Sequence, residues 1–499
     1  MSEKFDRLKM LLAEIEDLER VIALLNWDRE TYMPPGGNES RSHQIATLDR
    51  LKHARLSSDE LGRLLEDLTT EASDFDPDGE EARIVAVMKR DFDLECKMPE
   101  KLVLDISHAS SEGLLAWRSA REAQDFAAFV PYMKRNADLN AERAEALGYT
   151  DHPYDALLDR WEPGITTAQL ETIFADLKAT IVPMVRDIAA GGAVDDICLF
   201  QEYNRTEQIR FGLQMAERFG YDRNRGRLDT TAHPFCTSFG LDDVRITTRV
   251  FSNFLNASLF AIMHETGHAL YEQGVSPSLA RTPLAHGASA GMHESQSRLW
   301  ENLVGRSRPF QEYLFPRLQR TFPGQLGGMD IEGFYRAINK VHPSLIRVEA
   351  DEVTYNLHIM LRFELEKEIL AGKVEIEKLD EIWNERIREY LGITPPNSAE
   401  GVLQDIHWSW ADTFGLFPGY ALGNVIGTQL FAHARKALPS LDDQMAHGEF
   451  NDLLTWLQTN LYQHGRKFTP NELMERITGS PITTDAWVEY VHCKFGAIY

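Results

Sequence analysis

Two histidines and a glutamate stand within five consecutive residues, His264-Glu265-Thr266-Gly267-His268. Side chains four positions apart lie on the same face of an α-helix, so both imidazoles can bind one metal ion. Glu265 stands beside that face, where its carboxylate can take a proton from a water molecule that the metal polarises. Neutral imidazoles suit Zn²⁺, and Co²⁺ or Mn²⁺ can occupy the same ligands. The segment therefore predicts a metal centre for hydrolysis, with zinc as the expected cofactor.

The alternative for this segment is a chance or purely structural match. The neighbouring Phe260, Ile262 and Met263 make the helix apolar, so we expect it to be buried. Two buried histidines and a glutamate are costly unless they are paired or bound to a metal ion. The apolar surroundings therefore favour the metal centre.

A catalytic zinc needs a third protein ligand and one open coordination position. Residues 291–303 also have a helical pattern and contain two glutamates seven positions apart, Glu294 and Glu301. Seven positions bring two side chains to nearly the same face of a helix, so spacing alone leaves both as candidates. Glu294 is the first choice. His293 can also bind the metal, but a contact with a ligand or with the substrate is the preferred interpretation.

Helical periodicity dominates the elements that must position these residues. Apolar residues recur at three- and four-residue steps over residues 5–25. This pattern predicts one amphipathic helix that packs on its own core or on a second chain. Thr166 with Gln169, and Thr469 with Glu472, have the spacing of a capping box, which indicates that a helix begins at each.

Strand signals are few. The best is a β-branched, partly alternating run at residues 244–250. Proline and glycine clusters at residues 33–37 and 191–192 indicate loops, and the sequence has neither a long linker nor an internal repeat. The predicted fold is mostly α with a small β element, and residues 1–499 are expected to form a single domain.

Acidic residues outnumber basic ones, 77 against 52, which gives the chain a formal net charge of −25. Such a surface repels nucleic-acid phosphates and anionic lipid, so neither nucleic acid nor a membrane is an expected partner. The hydrophobic share of 43% is typical of a globular protein, which argues against a disordered or fibrous chain.

The cysteines and the N-terminal residues bear on the location of the protein. The four cysteines are far apart and form no CxxC pair, which indicates a reducing compartment. They are Cys96, Cys198, Cys236 and Cys493. Charged residues stand near the N-terminus where a secretory signal needs an apolar run. These features predict a cytoplasmic protein.

A series of motifs, in order along the chain, resembles the carboxypeptidase Taq family of metallocarboxypeptidases. They are His233-Pro234-Phe235 (HPF), Asp243-Val244-Arg245-Ile246-Thr247 (DxRxT), 264–268 (HExxH), His293-Glu294-Ser295-Gln296 (HES/GQ), 346–352 (IRxxADE) and 401–408 (GxxQDxHW). Looser similarity at Trp27-Asp28 and at residues 417–420 extends the resemblance over nearly the whole chain. One departure is Trp161, where tyrosine is expected; it affects no catalytic role.

The resemblance implies a large, mostly helical, zincin-like metallopeptidase with a long substrate groove, assembled as a saddle-shaped homodimer. It implies a metal-dependent enzyme that removes single C-terminal residues from peptides with broad specificity, and poorly when proline is involved. It also implies that Glu294, in the HES/GQ motif, is the third metal ligand beside His264 and His268.

Within this interpretation, Glu265 takes a proton from the attacking water and later delivers it to the leaving amine. Negative charge that develops on the tetrahedral intermediate needs a hydrogen-bond donor besides the metal. Tyr420 and His407 are the candidates, because both belong to matched elements and both can donate. For each, a buried ring with a satisfied polar tip is an equal alternative.

An exopeptidase must also recognise a terminal carboxylate, for which the fork of donors on a guanidinium is well suited. Arg347 is the first candidate and Arg245 is the second. The alternative for each is an internal ion pair, Arg347 with Asp351 or Arg245 with Asp243. The acidic residues that follow Arg347 in its motif are expected to support the ligands or the fold.

Two other functions stay open at this level. An endo-oligopeptidase or a dipeptide-releasing enzyme could use the same zinc chemistry and release larger fragments. A helical binding scaffold could hold a structural zinc at the same residues, although a three-ligand site leaves a reactive coordination position.

Overall fold

The computed structural model describes residues 3–71 and 75–499, and most of these residues are helical. In the first half of the chain the α-helices are α1 (Glu3–Thr31), α2 (Asn38–Leu56), α3 (Asp59–Glu71), α4 (Glu80–Lys97), α5 (Glu100–Ala123), α6 (Phe126–Leu147), α7 (Pro153–Leu158), α8 (Thr167–Ala190) and α9 (Arg205–Phe219). In the second half they are α10 (Leu255–Gly274), α11 (Ala290–Arg298), α12 (Arg308–Thr321), α13 (Pro323–Leu326), α14 (Ile331–Ile338), α15 (Tyr355–Leu370), α16 (Leu379–Leu391), α17 (Phe417–Ala437), α18 (Leu441–His447), α19 (Asn451–Asn460), α20 (Pro470–Thr478) and α21 (Asp485–Ile498).

The small β element is a sheet of three short strands, β1 (Leu228–Thr230), β2 (Cys236–Ser238) and β3 (Val244–Thr248). The predicted strand is β3, which lies in the centre of the sheet. It pairs in parallel with β1 and antiparallel with β2, and Ile246 stands opposite both Leu228 and Cys236. The β-branched side chains of Val244 and Ile246 are fully buried, and β3 packs against α10.

The helix starts predicted from the sequence are confirmed. The amphipathic helix at the start of the chain is α1, and most of its apolar stripe is buried, including Phe5, Leu8, Leu12 and Ile15. The capping boxes at Thr166 and Thr469 are both formed, and α8 and α20 begin directly after them. In the first, the Thr166 hydroxyl accepts the backbone N–H of Gln169, whose side chain accepts the N–H of Thr166 in return.

Helix α10 carries the HExxH residues and packs against β3, α9 and α11. Gly267 permits this approach, because a Cβ there would lie 2.3 Å from the carbonyl oxygen of Gln296 in α11. Gly423 and Gly427 of α17 allow an equally close contact, since a Cβ on Gly427 would lie 2.7 Å from the carbonyl oxygen of Ser295. Helix α11 therefore packs tightly against both α10 and α17.

The helix predicted over residues 291–303 is regular only in its first part. The α-helical pattern ends at Arg298, and the chain continues as a π-helical segment, Leu299–Gly305. A π-helix has more residues in each turn than an α-helix, so side chains in this segment point in directions that α-helical spacing does not predict.

The single-domain organisation of residues 1–499 stays a prediction. Among the residues that the structure describes, no helix combines the length and the apolar character needed to cross a lipid bilayer.

Candidate active site

Three side chains from two helices converge beside the sheet. His264 and His268 project from one face of α10, and each Nε2 atom lies 3.5 Å from Oε2 of Glu294 on α11. The ligand atoms of the three residues all lie within 4.8 Å of one another. The structure thus brings together two imidazole nitrogens and one carboxylate oxygen, and it places Glu294 rather than Glu301 at their meeting point.

The hydrogen bonds of the two imidazole rings fit a divalent metal at this point. Nδ1 of His264 lies 2.9 Å from Oε2 of Glu301, and Nδ1 of His268 lies 2.6 Å from Nδ1 of His293. Both Nε2 atoms therefore face Glu294, while each Nδ1 atom forms a hydrogen bond on the opposite side of its ring. Two such imidazoles and a carboxylate form a ligand set that is common at catalytic zinc sites.

Glu294 is held as a carboxylate. Its oxygens accept hydrogen bonds from Nε of Arg298 at 2.7 Å and from Oγ of Ser297 at 3.0 Å. Burial alone would raise the pKa of Glu294, but the charges of Arg298 and His264 hold it well below its usual range. A metal ligand must be deprotonated, so this environment suits the role.

Glu301 forms a hydrogen bond with Nδ1 of His264, on the side of the ring away from Glu294. It also accepts hydrogen bonds from Arg298 and Arg306, at 3.3 and 3.2 Å. Burial opposes its ionisation, but the bond to His264 and the charge of Arg298 lower the pKa of Glu301 to about 2. Glu301 was the alternative third ligand; here it is an acceptor for His264 Nδ1.

Glu265 lies next to His264 on α10 and is only 6% exposed. Burial raises the pKa of its carboxyl to about 7, an effect that the His264 charge opposes and the Glu294 charge reinforces. A carboxyl with a pKa near 7 can both accept and release a proton near neutral pH.

Tyr420, His407 and Arg347 form a second cluster. The ring of Tyr420 lies 6.4 Å from the ring of His407, and the Arg347 guanidinium lies over the Tyr420 ring at 5.3 Å. Tyr355 connects this cluster to the first, because its hydroxyl accepts a bond from Arg347 while its ring lies under the guanidinium of Arg298. Through Tyr355, the structure therefore places Tyr420, His407 and Arg347 next to Arg298, the arginine that binds Glu294.

Arg347 pairs with a carboxylate other than the one considered from the sequence. Its Nη2 lies 2.8 Å from Oδ1 of Asp405, whereas Asp351 accepts the backbone N–H groups of Val353 and Thr354. Arg362 binds the other oxygen of Asp405. Two guanidinium groups thus share the carboxylate of Asp405.

Arg245 lies in the internal ion pair that was its alternative role. Both carboxylate oxygens of Asp243 accept bonds from it at 2.8 Å, and its guanidinium lies over the rings of Trp27 at 4.4 Å and Phe239 at 4.8 Å. Within the described residues, no contact joins Arg245 to the cluster around Arg347.

Several residues of the site were not predicted from the sequence. Arg298 stands four positions after Glu294, a spacing that could have indicated an ion pair within one helix. Tyr355 and Arg362 offered no such signal, because their contacts join segments far apart in the chain. Their burial, 6% and 0% exposed, is decided by the tertiary packing alone.

The fold and this site define a helical metallopeptidase, with candidate metal ligands on an HExxH helix and at a following glutamate. The family model described as "Carboxypeptidase Taq (M32) metallopeptidase" matches residues 7–495. The chain belongs to this family, so it is a metallocarboxypeptidase that acts on peptides. The resemblance inferred from the motifs is confirmed.

Named relatives agree with this assignment. The chain is 41% identical over 487 residues to "Thermostable carboxypeptidase 1" of Thermus thermophilus. The aligned region covers 96% of this chain and 95% of the relative. It is 37% identical over 490 residues to "Carboxypeptidase 1" of Bacillus subtilis, with coverage of 98% and 97%. Among solved structures, the M32 carboxypeptidase from Deinococcus radiodurans R1 has a TM-score of 0.97 at 41% identity, with 100% of each chain covered. The predicted fold class is therefore confirmed.

Proposed function

We propose that this enzyme is a zinc-dependent carboxypeptidase that releases single C-terminal amino acids from peptides with broad specificity. The observation that supports it most directly is the convergence of His264, His268 and Glu294 beside a buried Glu265. Zn²⁺ held by the three ligands would polarise the scissile carbonyl and activate the attacking water. Co²⁺ or Mn²⁺ could occupy the same ligands.

Glu265 is proposed as the general base and then the general acid. Its carboxyl lies next to a ligand on the same helix, and its pKa of about 7 suits proton transfer in both directions. It would accept a proton from the attacking water and pass that proton to the leaving amine.

Tyr420 and His407 are proposed as the donors that stabilise the oxyanion. Burial raises the pKa of the Tyr420 hydroxyl, an effect that Arg347 opposes, so the phenol keeps its proton at neutral pH and can donate it in a hydrogen bond. Burial also lowers the pKa of His407, although Asp405 opposes this, so His407 would donate as a neutral imidazole.

Arg347 is proposed to bind the terminal carboxylate of the substrate, and Arg245 remains the second candidate. Arg347 is 6% exposed and shares Asp405 with Arg362, so the two guanidinium groups have only this one carboxylate as a direct ion-pair partner among the described residues. A substrate carboxylate would be a second anionic partner for this pair of guanidinium groups. Arg245 has its own partner in Asp243.

The proposed assembly is a homodimer, and the proposed location is the cytoplasm. The resemblance to the family supports the first, and the four separated cysteines without a CxxC pair support the second.

The test is a timed digestion of one unmodified peptide and its C-terminally amidated form, with and without a chelator, followed by mass spectrometry. We expect the free peptide to lose one residue at a time, the amide to react about 100-fold more slowly, and the chelator to stop both reactions until Zn²⁺ is restored. Release of dipeptides or internal fragments would instead identify one of the other peptidase types.

Arg347→Lys and Arg245→Lys form a matched pair in the same digestion. Lysine keeps the charge but loses the two-pronged donor fork. We expect only Arg347→Lys to reduce the preference for the free peptide over the amide. The arginine whose replacement removes that preference is the one that binds the carboxylate.

A further inference from the structure

A third side chain, the acidic Glu272, continues the proposed metal-binding face of α10. His264, His268 and Glu272 are spaced four positions apart, so they lie along one side of the helix. Glu272 is 6% exposed, and its Oε1 lies 2.9 Å from Nε2 of His293. Its Oε2 is buried and has no hydrogen-bond partner among the described residues. His293 is thus the direct partner of this buried carboxylate.

His293 is held in one orientation between Glu272 and His268. Its ring lies 5.3 Å from the ring of Tyr271, and a Cβ on Gly287 would lie 2.6 Å from its Cδ2 atom. Its Nδ1 lies 2.6 Å from Nδ1 of His268. The ring therefore connects the back of one proposed metal ligand to a carboxylate one helical turn further along α10.

The positions of the protons in this chain follow from the acceptor at its end. An ionised carboxylate can only accept, so Nε2 of His293 carries the proton that it donates to Glu272. Nδ1 of a neutral His293 is then an acceptor, and Nδ1 of His268 must donate to it. Nε2 of His268 is left with its lone pair directed toward Glu294, as a metal ligand requires.

We propose that His293 and Glu272 are positioning residues that fix the tautomer and orientation of His268 and thereby set the affinity of the centre for its metal. This inference rests on the metal centre proposed above. The two histidine ligands would be supported differently, because His264 donates directly to Glu301 while His268 donates through a second imidazole. Partners of this kind raise the basicity of the ligand and hold the ring in place.

The experiment measures the dissociation constant for Zn²⁺ of the full-length chain by competition with a chelator. Leucine and asparagine have the same shape, but asparagine places an oxygen where Nδ1 of His293 lies. We expect His293→Leu to raise the dissociation constant about 100-fold, and His293→Asn to raise it only about 10-fold because its amide oxygen still accepts from His268. Glu272→Gln should raise it about 10-fold, since the neutral amide holds His293 less firmly.

A double variant guards against misfolding. His293→Leu alone leaves the Glu272 charge buried without a partner, so His293→Leu is also combined with Glu272→Gln, which neutralises that group. The two residues act in series, so the double variant should match His293→Leu rather than add the two effects. The melting temperature of each metal-free variant verifies the fold, and His464→Leu, where the lost ring packs on Phe468, is the matched histidine control.

Two outcomes distinguish a failure of this inference from a failure of the proposed metal centre. If His268→Ala binds Zn²⁺ as tightly as the unaltered chain, the metal centre itself is wrong. If His268→Ala loses Zn²⁺ while the double variant binds as tightly as the unaltered chain, the metal centre stands and the positioning role of His293 and Glu272 is wrong. Equal losses in His293→Asn and His293→Leu would also overturn it, because the acceptor atom would then be irrelevant.

Discussion

Two glutamates close to His264 have opposite protonation tendencies, and their surroundings explain the difference. Glu265 is buried, and its pKa rises to about 7. Glu294 is equally buried, but Arg298 lies 2.7 Å from its carboxylate and helps to hold its pKa well below the usual range. Such a divergence fits the different tasks proposed for the two groups, Glu294 as a charged ligand and Glu265 as a proton carrier.

Glu265→Gln is the sharpest test at this scale. The amide keeps the shape but has no carboxylate to take a proton, so we expect kcat to fall by about 10²–10⁴-fold with little change in KM. The zinc content, measured by elemental analysis, should stay at the level of the unaltered chain. Glu475→Gln, at an exposed position on α20, is the control. Unchanged turnover in Glu265→Gln would remove this residue from the base role.

At the scale of elements, the positions of the proposed metal ligands depend on how closely α10, α11 and α17 approach one another. Glycines at 267 and 423 stand where a Cβ would lie 2.3–2.5 Å from atoms of α11. The change from α- to π-helix after Arg298 has a second effect. In a continuous α-helix Glu294 and Glu301 would lie on nearly the same face, whereas here one faces the Nε2 atoms and the other bonds to Nδ1 of His264.

Gly423→Ala tests this packing. The added methyl group would lie 2.5 Å from Cγ of Glu294, so either the ligand or the whole of α11 must shift. We expect a loss of about 1–3 kcal/mol in the free energy of unfolding and about a 10-fold weaker affinity for Zn²⁺. Denaturant titration and chelator competition measure the two effects.

Gly496→Ala in α21 is the matched control for that change. No heavy atom would lie within 4 Å of the new Cβ, so alanine should stabilise this helix by about 0.5–1 kcal/mol and leave Zn²⁺ affinity unchanged. An unaltered affinity in Gly423→Ala would mean that Glu294 does not depend on this contact.

At the scale of the whole molecule, the site is assembled from distant parts of the chain. Arg20 on α1 donates to the carbonyl oxygens of Ser238 and Ala285, at 3.0 Å each. Glu162, just before α8, accepts the backbone N–H of Gly291 at the start of α11. The first helix and a central loop thus hold the sheet and the helix that carries Glu294.

Glu162 should make stability depend on pH. It is fully buried, and burial raises the pKa of its carboxyl from 4.5 to about 7, although bonds from Ser289 and Gly291 oppose the rise. Between these values the unfolded chain releases the proton while the folded chain keeps it. The stabilisation relative to Glu162→Gln is therefore complete below pH 4.5 and is lost as the pH rises to 7.

The measurement is denaturant unfolding of both chains, metal-free, at several pH values. The difference in free energy of unfolding between the original chain and Glu162→Gln should fall by about 3 kcal/mol from pH 4.5 to above pH 7. A difference that does not change with pH would show that Glu162 titrates normally in the folded chain.

The sequence by itself determined what depends on local spacing and on residue type. The helical period, the capping boxes at Thr166 and Thr469, the strand at β3 and the shared face of His264 and His268 are set by neighbours a few positions apart. The order of the motifs along the chain was enough to indicate the family.

Only the tertiary structure decided which distant residues meet. Spacing left Glu294 and Glu301 open and the family motif indicated Glu294, but only the structure shows that a π-helical segment separates the directions of the two side chains. The pairing of Arg347 with Asp405 and the chain from His268 through His293 to Glu272 arise where separate helices pack. Such contacts depend on how buried surfaces fit together in three dimensions, and no periodicity within a single segment records that fit.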